Sequence, residues 1–92
     1  MNGDVFEDET QLAWQAMPKH APVVASDGSH IGTAEKLLGD VEEDIFHGVV
    51  LRREDGEAVE IPATRVKRMT AEHVITDLGV DEEKSLPRYK GR

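Results

Sequence analysis

The order of apolar and polar positions changes character at Ala21. Before it, residues 8–17 (DETQLAWQAM) place Leu12 and Ala16, with Ala13 and Met17, four apart on one flank, which predicts a short helix. Asp8 stands as the N-cap, Gln11 completes a capping box, and Pro18 stops the helix. A helix this short does not hold in water alone, so it is expected to dock on something. Trp14 lies close to its apolar stripe.

From Ala21 onward the pattern is that of strands. APVVA (21–25) is followed by Ser26-Asp27-Gly28-Ser29, a hairpin signal. Residues 30–41 form a second strand, bent or bulged at Gly32 or Gly39. Glu42–Asp44 is an acidic turn. Residues 45–54 form the strongest strand, with β-branched Ile45, Val49 and Val50. Asp55-Gly56 marks another hairpin, and residues 57–62 alternate until Pro62. Residues 63–72 read as a connector with one helical turn, 73–78 as a last strand, and 79–92 as a polar, flexible tail. About five short strands with regular turn signals predict a mainly β fold, a small antiparallel barrel over 21–78, preceded by an arm over 1–20. A sheet this small exposes its edges unless it closes or pairs, so a homodimer is expected.

Composition narrows the function. The chain has 92 residues, which bounds it to one domain with tails, and no cysteine, which excludes disulfides, thiol nucleophiles and Cys-bound zinc. Net charge is −8, and residues 21–62 carry ten acids against three bases. That balance argues against indiscriminate binding to nucleic acid or anionic membranes. No apolar run approaches the roughly 18 residues of a membrane span, and the acidic first ten residues lack a secretory core, so a cytoplasmic location is expected.

The residues that carry these turns and strands also carry a resemblance. Asp27, Gly28, Ile31, Gly32, Leu37, Leu38, Asp40, Gly48, Val49, Val50, Ile61, Pro62, Val66 and Val74 fit the pattern of a PRC-barrel domain, so residues 21–78 resemble that family. It is named after the photosynthetic reaction-centre H subunit and includes the C-terminal domain of the ribosome-maturation factor RimM. The resemblance implies a compact β-barrel used as a non-enzymatic interaction or assembly module. It supplies no catalytic residues and no cofactor.

Candidate chemistry is sparse. His20, His30, His47 and His73 show no metal-ligand spacing. Asp40, Glu42, Glu43 and Asp44 begin like a calcium loop, but the places for its Gly and Glu hold Ile45 and Leu51, so a solvated turn is the better reading. No phosphate loop, nucleophile motif or carboxylate pair stands out, so an enzyme is not expected.

Two groups remain as partner-binding candidates. Phe6, Leu12, Trp14 and Met17 on the arm would either cap their own barrel or anchor a partner. Arg65, Lys67 and Arg68 form a small basic cluster that would serve an RNA- or ribosome-associated factor, although four aromatics offer little for base stacking. The expected function is a self-associating protein-interaction module with an unidentified protein partner. An RNA- or ribosome-associated assembly factor is the alternative.

Overall fold

The structure, a computed structural model, describes Phe6 and residues 8–90. Six strands form one mixed sheet: β1 (Pro22–Val24), β2 (His30–Asp40), β3 (Ile45–Arg53), β4 (Ala58–Pro62), β5 (Val66–Met69) and β6 (Val74–Thr76). Their order across the sheet is β4-β3-β2-β1-β6-β5.

The two Asp-Gly turns are built alike. At each, an Asp carboxylate accepts the N–H two residues on, Asp27 from Ser29 and Asp55 from Glu57, both at 2.9 Å. The following glycines, Gly28 and Gly56, take φ of 91° and 93°, where a side chain would be strained. The β2–β3 turn works differently. Asp44 itself adopts φ of 57°, which an Asp tolerates, and Asp40 Oδ1 caps the Glu43 N–H.

β4 and β5 lie at opposite ends of the sheet, yet only Ala63–Arg65, a 3-10 turn, joins them. In a flat sheet five strand spacings would part them by about 24 Å. The chain from Pro62 to Val66 reaches at most about 14 Å. The sheet must therefore curl, and its core shows that it does: Val59 and Ile61 of β4 share one cluster with Met69 of β5, Val74 of β6, Val23 of β1 and Leu51 of β3. The curl is not a closed barrel, because no ladder joins β4 to β5 among the described residues.

Four expectations are corrected. Among the described residues there are six strands rather than about five, because residues 66–69 of the expected connector pair with β6. The sheet is not purely antiparallel: β1 and β6 run parallel, with β2 to β5 as the long crossover that such a pair requires. The barrel is open. Finally, the helix expected over 8–17 reduces to one 3-10 turn, Trp14–Ala16. Its first half is drawn into extended backbone, where Leu12 N–H donates to Met69 O at 2.7 Å and Gln11 bridges Thr70. Pairing to the sheet outcompetes a helix too short to nucleate. The bend expected near Gly39 is present as a register shift between Leu38 and Gly39.

Both sheet ends are covered by the chain itself. The arm runs beside β5. Residues 87–89 run beside β4, where Glu60 N–H donates to Pro87 O and Tyr89 N–H to Ala58 O, each at 2.9 Å. No helix among the described residues is long and apolar enough to cross a membrane.

Candidate interaction groove

The arm crosses from one end of the curled sheet to the β2–β3 hairpin, and two anchor points hold it. The first is at β5 and β6. Phe6 stacks on His73, with ring centroids 3.9 Å apart. Arg68, half-buried, donates to the carbonyls of Phe6 and Glu9. Glu9 Oε1 accepts from Thr70 Oγ1 at 2.7 Å and lies 3.0 Å from His73 Nδ1. The contact with His73, then the bond from Thr70, hold the Glu9 carboxyl below the usual carboxylate range.

The second anchor is Trp14. Its indole Nε1 donates to Asp44 Oδ1 at 2.9 Å, and Gln15 Nε2 donates to the same oxygen at 2.9 Å. The ring packs at 5.7 Å from that of Phe46 and directly over Gly39, where a Cβ would stand 2.7 Å from the ring. The glycine thus makes room for the indole. His20 N–H then donates to Ala34 O, returning the chain to β2.

Between these contacts a groove of about 350 Å³ opens beside β2. Trp14, Met17 and Pro18 wall one side, and Ala34, Leu37 and Val41 the other. Val41 is 64% exposed and Ile45 45% exposed. They are two of the three large apolar side chains left open to solvent among the described residues, the third being Val80.

Of the sequence candidates, Trp14 and Met17 line this groove, whereas Phe6 and Leu12 belong to the first anchor. The basic cluster is pulled apart. Arg65 donates to Asp77 Oδ1 at 2.6 Å and to Glu82, which raise its pKa. Arg68 is turned into the arm, and Lys67 is exposed and also has interactions of its own. The three do not form one basic face.

Asp44 is the residue that sequence reasoning missed. The sequence groups it with a solvated acidic turn, yet its carboxylate fastens Trp14 and Gln15. The signal available was an Asp at the last turn position before a strand, where φ turns positive. Elsewhere a hollow of about 210 Å³ is lined by His30, Arg53, Glu54 and Glu83. There Arg53 Nε faces Glu83 Oε1 at 3.4 Å, an ion pair without hydrogen-bond alignment. Among the described residues no three His, Asp or Glu side chains converge in a group that would hold a metal.

The chain matches no protein-family model, and no curated protein matches it.

Proposed function

We propose that this chain is a small, non-enzymatic interaction module of PRC-barrel type that docks a protein partner in the groove between its arm and the β2–β3 hairpin. The curl supports the barrel-type reading, since both end strands pack on one core. The observation that carries the docking reading is the groove itself: an apolar hollow anchored by Trp14, with exposed Val41 on its wall and exposed Ile45 at the start of β3 on the same hairpin. The arm and residues 87–89 run along the outer strands, which covers part of the edges on which the homodimer expectation rests.

The test is affinity capture from lysate with the unaltered protein and with Val41→Ser/Ile45→Thr, with and without ribonuclease. Both side chains are exposed, and circular dichroism of the variant is expected to match that of the unaltered protein. Discrete proteins retained by the first and lost by the second bear the proposal out. Identical captures sink it. Ribosomal proteins lost only on ribonuclease treatment would favour the assembly-factor alternative and direct mutation to Arg65, Lys67 and Arg68.

A further inference from the structure

We infer that the occupant of the groove is a cationic, apolar peptide segment of another protein. This rests on the interaction reading above and adds the partner's chemistry to it. Asp40, Glu42, Glu43 and Asp44, all exposed, occupy the turn that carries Val41 and leads into Ile45. Apolar surface and carboxylates thus alternate along one hairpin end, next to an apolar hollow. The groove's own lining carries Lys19, Glu35 and Lys36; Lys36 Nζ lies 3.4 Å from the Tyr89 phenol oxygen, and Glu35 accepts from Arg52. The four carboxylates of the adjoining turn outnumber these two ammonium groups.

That pattern discriminates among occupants. A second copy docked with this turn on the two-fold axis would bring the acidic turn against itself. A nucleic acid backbone would meet like charge. A segment in which Lys or Arg alternates with Leu-like residues satisfies both features at once: apolar side chains enter the hollow between Trp14 and Leu37, and the cations lie along Glu42 and Glu43. The hollow, near the lower end of the usual ligand-pocket range of about 300–1,000 Å³, has room for a few side chains and not for a folded domain.

The probe is a synthetic peptide of alternating Leu and Lys, titrated into the full chain and followed by the emission of Trp14, the chain's only tryptophan. Peptides with Ser for Leu and with Glu for Lys serve as comparisons. Glu42→Lys/Glu43→Lys is set against Glu54→Lys/Glu72→Lys, which changes net charge equally at the other end of β3 and in the β5–β6 turn. The expected result is saturable binding of the Leu/Lys peptide alone. It weakens at least tenfold in the hairpin variant, changes less than threefold in the distant variant, and falls as salt rises. Equal weakening in both variants would reduce the effect to net charge and overturn the inference, as would equal binding of the Ser or Glu peptide. Concentration-dependent dimerisation that the hairpin variant strengthens would assign the face to a second copy instead. If the peptide fails while captured proteins still depend on Val41 and Ile45, the docking reading stands and only the cationic preference falls.

Discussion

Replacing Gly39 by Ala tests the junction of arm and hairpin most directly. An added Cβ would lie 2.5 Å from Ile45 O, 2.7 Å from Trp14 Cη2 and 3.1 Å from Cζ2. Comfortable carbon contacts begin near 3.5 Å, so the indole must retreat by about 1 Å. Overpacking of this kind costs typically ~1–3 kcal/mol, and the upper half is expected because one obstacle is backbone. Removing the indole in Trp14→Ala costs about 2 kcal/mol, roughly half the value for a fully buried Trp, since this ring is only partly buried. In the double variant the ring contact is absent and only the clash with Ile45 O persists. Gly39→Ala should therefore cost ~1 kcal/mol less in the Trp14→Ala background than alone, a coupling above the few tenths expected of independent sites. Urea unfolding followed by circular dichroism measures all four proteins. The emission of Trp14 in Gly39→Ala should also move to the red as the ring leaves its seat. Costs that add within ~0.3 kcal/mol, together with unmoved emission, would refute the placement of the indole over Gly39.

Three further predictions follow from the same contacts. Asp44→Ala loses the acceptor for Trp14 and Gln15 and puts Ala at positive φ, so it should destabilise by about 1–2 kcal/mol; Asp44→Asn, which keeps an acceptor and tolerates that φ, should cost under half as much in the same urea assay. Glu9, Glu35 and Glu82 are held below the ordinary carboxylate value of 4.5, by His73, by Arg52, and by the Gly79 N–H with Arg65. Their folded forms resist protonation, so the stability they give is complete above that value and is lost as pH falls through the lowered ones; the thermal midpoint should drop below about pH 4.5, and less steeply in Glu9→Gln. Deleting residues 87–92 removes the backbone partners of Ala58 and Glu60 and bares the β4 edge, so analytical ultracentrifugation should show stronger concentration-dependent association than in the full chain.

How far the fold was legible depends on the range of the forces that set each part. The Asp-Gly hairpins are local devices: an Asp side chain, a glycine at positive φ and alternating strands on either side, all within a few residues. Sequence reading places them well. β5 is not local. Val66–Met69 is four residues, two of them cationic, that become a strand only because Val74–Thr76 lies alongside. The arm is the clearest conflict. Its side-chain spacing is helical, and its backbone is nonetheless extended at Gln11 and Leu12, because the end of the sheet offers ready-made partners at Thr70 and Met69. Spacing reports on side chains, whereas this outcome was decided by backbone hydrogen bonds to residues nearly sixty positions away.

The same distinction explains the candidate site. Trp14 and Met17 were legible as an apolar anchor with nothing local to bury it. The other half of the groove comes from β2 and the hairpin turn, and depends on Gly39 and Asp44, each of which has an ordinary turn or bend explanation in the sequence. Their joint effect appears only once the arm lies across them. A sheet end needs cover, and a strand-forming segment that supplies it must also return to β1; at His20 the chain reverses, with φ of 61°, and pairs with Ala34. Between the cover at β5 and that return, residues 13–19 make one 3-10 turn and hold to the sheet through Trp14, Gln15 and Met17. The apolar groove beside Trp14 lies where this segment meets β2 and the hairpin turn, with Leu37 and Val41 on its far wall.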